Sequence, residues 1–171
     1  DDTVHVANTE LKLNGAGKRY KAIFKVYAAG LYLKEKKTTV PEVLALAGPK
    51  SLRLVMLREV SNEDFGRGFM TGIQQNTDKN EKMKMVSQFI RFGELFASVP
   101  ELKQGDVMLS EWIPGVGTVM SLNGKKMGEP FPDAAFYNAL LRIWLGDKPV
   151  DASLKQAILA ETTKEIKNNY R

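Results

Sequence analysis

The run Val26-Tyr27-Ala28-Ala29-Gly30-Leu31-Tyr32-Leu33 carries no charged side chain and follows closely on Ile23 and Phe24. Aromatic and β-branched residues at this density make a strand. A strand so apolar needs cover, which points to a sheet with a second layer packed on it. Lys21, Lys25 and Lys34 mark the positions expected to meet water. Just upstream, Gly15-Ala16-Gly17-Lys18-Arg19 supplies two glycines that allow a turn or a bulge where a Cβ would block one. The small residues Ala28-Ala29-Gly30 either kink the strand or let a helix or ligand come close. With no helix directly after it, Gly15-Ala16-Gly17 does not read as a phosphate-binding fingerprint. Arg19 beside such a strand is either a surface cation or a holder of an anion.

Along the rest of the chain, patterns of period 3.6 and 2 alternate in blocks. Pro41 opens a short helix over 42–47, which Gly48-Pro49 ends, and 51–60 reads as a strand. Ser61 with Asp64 three residues on is a helix entry, and Phe65, Phe69 and Ile73 give that helix one apolar face. Gly66, Gly68 and Gly72 weaken it, which predicts close packing against a sheet or a ligand. From Glu81 a second helix sets Met85, Phe89, Phe92 and Phe96 in a stripe that reads as core. A hairpin joins 107–112 to 118–122 through Pro114-Gly115-Val116-Gly117, and Asn123-Gly124 turns the chain back through Lys125 to Met127. Pro132-Asp133 starts a helix holding Phe136, Leu140, Ile143 and Trp144, Gly146 closes it, and Asp151 or Ser153 caps a last helix. Strands, helix, strand, two helices, hairpin, two helices is the order of an α+β antiparallel sheet covered by helices on one face. Without an internal repeat or linker, residues 1–171 read as one domain.

Composition narrows the chemistry. Cysteine is absent and His5 is the sole histidine, near a terminus expected to fray, so thiol nucleophiles, Ser-His-Asp catalysis and the usual zinc sites are excluded. Glu63-Asp64 is the nearest thing to a carboxylate metal cluster and is better read as helix N-terminal acid, so neither metal nor cofactor is expected. A net charge of +5 invites nucleic acid, but the lysines are scattered, and the densest run, Lys34 to Lys37, contains Glu35. No nucleic-acid partner is expected. No stretch is long and apolar enough to cross a membrane as a helix. Asp1 at the start fits a processed precursor or an engineered start point.

Gly-Ala-Gly-Lys-Arg at 15–19, Val-Tyr-Ala-Ala-Gly-Leu-Tyr-Leu at 26–33, Gly-Asp-Val at 105–107 and Ala-Leu-Leu-Arg-Ile-Trp-Leu-Gly-Asp-Lys-Pro-Val at 139–150 together resemble the chalcone isomerase fold family. The likeness, strongest to its bacterial chalcone-isomerase-like branch, runs from about Leu11 to Leu159. It implies an open-faced β-sandwich in which a large antiparallel sheet and a layer of helices enclose an apolar cleft. Some members of the family close a flavanone ring, and others are non-catalytic relatives that include fatty-acid binders. The catalytic branch uses an arginine, a threonine, a tyrosine and an asparagine, whose positions fall here on Arg19, Tyr27, Phe65 and near Gly72. Phe65 has no hydroxyl and Gly72 no side chain, so two donors to the developing enolate are missing, each worth about a hundredfold to a thousandfold in rate. No catalytic residue is assigned on this reading.

The resemblance and these substitutions lead to a non-catalytic binder of a fatty acid or similar amphipathic carboxylate. Its expected site is Arg19, Tyr27, Phe65, Phe69, Phe136, Tyr137 and Leu140, with Arg19 orienting the headgroup and the apolar residues holding the tail. The alternatives are a weakly active isomerase of the chalcone isomerase type and a structural or protein-interaction module in which an aromatic such as Trp112 or Tyr170 docks a partner. A tryptophan at a hairpin end is more often a core plug than a docking site. Bacterial relatives are usually exported, so the resemblance also implies a periplasmic or otherwise exported protein. Nothing in the sequence sets an oligomeric state.

Overall fold

The apolar run becomes β3 (Phe24–Leu33), third of the seven strands that the described residues form in one antiparallel sheet whose spatial order equals its order along the chain. The computed structural model describes residues 2–160, so Tyr170 lies outside the described residues. The other strands are β1 (Thr3–Val6), β2 (Thr9–Lys21), β4 (Lys50–Met56), β5 (Val107–Ile113), β6 (Gly117–Leu122) and β7 (Lys125–Lys126). His5 lies within β1, opposite Glu10, rather than in a frayed end. The β2–β3 connection is not at the glycines of 15–17 but at Ala22 and Ile23, between the paired residues Lys21 and Phe24. Ala22 takes the left-handed backbone there, with φ of 56°.

Among the described residues six helices are interposed between strands or follow them, and side-chain caps begin five of them. Thr39 caps α1 (Val40–Ala45), Ser61 caps α2 (Asn62–Gln75), Asp133 caps α5 (Ala134–Leu145) and Asp151 caps α6 (Ala152–Leu159). Each accepts from backbone N–H groups that the first helical turn leaves unpaired. The helix expected from Glu81 is two helices. Asp78 and Glu81 form a capping box that starts α3 (Lys79–Lys84), and Met85, with φ of −114° and ψ of 13°, separates it from α4 (Val86–Ala97). That break leaves the charged α3 with no buried residue while α4 buries Phe89, Phe92 and Phe96.

The space between sheet and helices is filled by rings. Phe92 meets Phe96 edge-on at 5.1 Å, and Phe131 stacks on Phe136 at 4.3 Å, all four buried. Such pairs add about 0.5–1.5 kcal/mol each to the apolar burial itself. Trp112 joins this layer, 6.1 Å from the Tyr137 ring. Two of the three glycines of α2 owe their places to neighbouring helices: a Cβ at Gly66 would lie 2.8 Å from Phe96 Cβ, and one at Gly72 2.9 Å from Ile143 Cγ2, whereas one at Gly68 would meet nothing within 4 Å, so the close packing expected there is not found.

The glycines of β2 have a different occupant. At Gly15 a Cβ would stand 2.2 Å from the Ala157 carbonyl oxygen, and at Gly17 it would stand 2.9 Å from Ala157 Cβ, so α6 lies directly on the strand backbone. Asn14, at the bulge before Gly15, secures the approach: its amide donates to Ile158 O and Lys37 O at 2.9 Å each, and its oxygen accepts from Lys37 N at 2.8 Å. Gly15→Ala is expected to cost about 2–3 kcal/mol in urea unfolding, because the new methyl meets helix backbone that cannot rotate aside. Gly93→Ala, where a Cβ in α4 meets nothing within 4 Å, is expected to gain about 0.5–1 kcal/mol in the same assay.

Candidate functional site

Gly15, Gly17 and Arg19 lie on one face of β2, because alternate residues of a strand share a face. The first two admit α6, and Arg19 emerges just past the start of that helix. In the sheet register Arg19 is directly opposite Tyr27 of β3, so both side chains stand on the helix-covered face. Tyr27 is 4% exposed, and its hydroxyl accepts a hydrogen bond of 2.8 Å from Trp144 Nε1 of α5. Phe65 meets the Tyr27 ring edge-on at 6.2 Å and lies 4.5 Å from Phe69, which in turn meets Trp144 at 5.3 Å and 88°.

Tyr27, Phe65 and Phe69, with Trp144 behind them, help to wall a cleft of about 370 Å³ that opens to solvent. Tyr27, Phe65, Gly68, Phe69 and Ile143 line it, and Phe24 and the charged Arg19, Lys21, Arg58, Glu59 and Asp64 also reach it. The Arg19 Nη1 donates to Tyr20 O, and no carboxylate among the described residues lies within ion-pair distance of its guanidinium. Asp64 is engaged at 3.1 Å by Arg67, and Arg58 stacks on the Phe24 ring at 4.5 Å. Asp151, which receives Tyr20 N at 3.1 Å, feels burial that raises its pKa, but bonds from Ser153, Tyr20 and Leu154 outweigh it and hold the carboxyl below its usual value. The mouth therefore offers a charged guanidinium with donors to spare.

Burial pushes the Tyr27 hydroxyl from 10.0 up to about 12, against the Trp144 hydrogen bond and the nearby Arg19 charge, which both pull it down. Tyr27 is thus neutral at ordinary pH. Since Trp144 already occupies one lone pair, the phenolic proton has no protein acceptor among the described residues and can be donated into the cleft.

Of the residues expected at the site, Arg19, Tyr27, Phe65 and Phe69 line this one cleft. Phe136, Tyr137 and Leu140 do not line this cleft. All three are at most 1% exposed in the packed core, Phe136 stacked on Phe131 and Tyr137 donating to Ser110 O at 2.8 Å. Phe136 and Tyr137 lie about 10 Å along the axis of α5 from Ile143, the residue of that helix that reaches the cleft, and Leu140, one turn from Ile143, is turned into the packed core. At the positions of the missing isomerase donors, Phe65 contributes only a ring, and Gly72 is closed off by Ile143. Trp144, Ile143, Phe24 and Arg58 escaped the sequence reading as site residues. For Trp144 a signal exists: a buried indole N–H needs an acceptor, and few side chains can supply one.

Tyr27→Phe leaves the Trp144 N–H without its acceptor and is expected to lower stability by about 1–3 kcal/mol. Because the folded-state pKa of Tyr27 is raised, the unfolded chain loses that proton first as pH climbs. Stability is therefore expected to fall between pH 10.0 and about 12, and less steeply in Tyr27→Phe, as measured by urea unfolding across that interval.

No curated protein sequence matches the chain. Among solved structures, a fatty-acid binding protein of Arabidopsis thaliana is similar with a TM-score of 0.67 at 15% identity, the match covering 92% of this chain and 95% of that one. At that identity the likeness is one of fold: an antiparallel sheet with its helices arranged in the same way. A family model described as chalcone isomerase-like matches residues 1–160, and the chain belongs to the chalcone isomerase-like family.

Proposed function

We propose that this protein binds a fatty acid or a similar amphipathic carboxylate, with Arg19 holding the headgroup at the cleft mouth and Phe65 and Phe69 meeting the tail. The observation that carries the proposal is an arginine without a carboxylate partner among the described residues, facing an aromatic cleft beside a neutral tyrosine with a proton to give. A guanidinium grips a carboxylate by two parallel hydrogen bonds, and Tyr27 adds a third donor. The fold shared with a fatty-acid binding protein supports the same reading.

Magnitudes divide the labour. A twelve-carbon tail buried in full contributes roughly 9 kcal/mol before the cost of association, at about 0.8 kcal/mol per methylene. Each charge-assisted bond adds only about 1.5–3 kcal/mol, part of it spent on desolvation. Affinity comes from the tail and orientation from Arg19. At about 370 Å³ the cleft is at the small end of ligand sites, which favours a short or medium acyl chain, or the carboxyl half of a long one.

Isothermal titration with laurate is the direct test. Arg19→Ala is expected to weaken binding by about ten- to a hundredfold, and Arg19→Lys to recover only part of it because the paired geometry is lost. Unchanged affinity in Arg19→Ala would remove the anchoring role. No binding to the wild type would remove the proposal altogether.

A further inference from the structure

The β2–β3 hairpin ends in the most exposed large apolar side chain of the described residues, Ile23 at 85%, flanked by Phe24 at 53% and Tyr20 at 41%. Scattered apolar residues on a surface need no explanation, but three together at one tip do. Residues 18–25 also carry Lys18, Arg19, Lys21 and Lys25 and no acid at all. Arg58, stacked on Phe24, adds a cation from beyond the end of β4. Opposing charge is limited: Glu59 and Asp64 lie at the cleft, Asp64 paired with Arg67, and Asp151 is tied to Tyr20 N and the α6 cap. The same hairpin forms a lip of the cleft, since Arg19, Lys21 and Phe24 line it.

An apolar tip collared by cations has the chemistry of an interfacial lipid-binding element, in which large apolar side chains enter the headgroup zone and lysines meet anionic lipid. We propose that the β2–β3 hairpin docks this protein on an anionic membrane surface. Ile23 and Phe24 insert, Lys18, Lys21 and Lys25 contact lipid phosphates, and the cleft mouth is brought against the bilayer. The docking stands on the hairpin alone; that it passes an acyl ligand between membrane and cleft rests on the carrier reading above.

Flotation with phosphatidylcholine vesicles, with and without phosphatidylglycerol, tests it. The wild type is expected to partition onto the anionic vesicles only and to be released by salt. Ile23→Asp and the pair Lys18→Glu/Lys25→Glu are each expected to reduce partitioning at least tenfold, a lysine near an anionic surface being worth about fivefold. None of the three residues lines the cleft, so laurate titration on the same variants is expected to be unchanged. Ile90→Asp, an exposed apolar position on α4, serves as the control and is expected to leave partitioning intact. Absence of wild-type binding, binding undiminished by Ile23→Asp, or equal loss in Ile90→Asp would overturn the proposal. So would a dimer, seen by light scattering, that Ile23→Asp converts to monomer without any vesicle binding. Vesicle binding without laurate binding would leave the docking standing and sink the carrier reading.

Discussion

The rest of the molecule depends on how closely α6 lies on β2. At Gly15 the helix carbonyls occupy the space a side chain would need, and at Gly17 the methyl of Ala157 does so. This contact does more than bury Leu154 and Ile158. It fixes where the helix lies on the strand, and with the Asp151 cap that starts the helix it decides which residue of the same strand face is left uncovered. That residue is Arg19. A single strand therefore supplies both the floor on which a helix rests and the cation that stands at the edge of it. Asn14 holds the arrangement by satisfying two carbonyls from distant parts of the chain, a buried polar side chain fully used.

A second constraint shapes the interior of the cleft. Trp144 is 1% exposed and must place its N–H somewhere, and the Tyr27 hydroxyl is what it finds. The bond fixes the phenol oxygen against the indole N–H, and burial keeps it protonated although the bond itself pulls the pKa down. Packing and polarity here cooperate: the edge-on rings of Phe65 and Phe69 hold the two partners in place, and the bond prevents either from turning.

Local chemistry was readable in the sequence to the extent that its causes are local. Ser61, Asp133 and Asp151 cap helices because the groups they satisfy are a few residues away. The run from Phe24 to Leu33 is a strand for reasons written within it. The cleft members Arg19, Tyr27, Phe65 and Phe69 were reachable through the family likeness together with their residue types. What was not readable has causes far along the chain. Gly15 and Gly17 are visible as glycines, but the helix they admit lies some 140 residues later. The break at Met85 interrupts no apolar spacing, so periodicity cannot show it. Periodicity likewise gives the buried face of α5 without saying which level along its axis meets the cleft, and so Phe136, Tyr137 and Leu140 were expected where only Ile143 arrives.

The simple order of the sheet leaves two margins, β1 and β7. Open margins of this sort can template the addition of foreign strands and so begin aggregation. β7 is only Lys125–Lys126, both exposed, and it follows a tight Asn123-Gly124 turn in which both residues have positive φ. A ladder two rungs long with a positive charge on each rung gives an incoming chain little to grip. The rest of the β6 edge is taken up by the chain that follows, where Met127 N donates to Met120 O and Phe131 pairs with Thr118 in both directions, so brevity, charge and cover together close that margin.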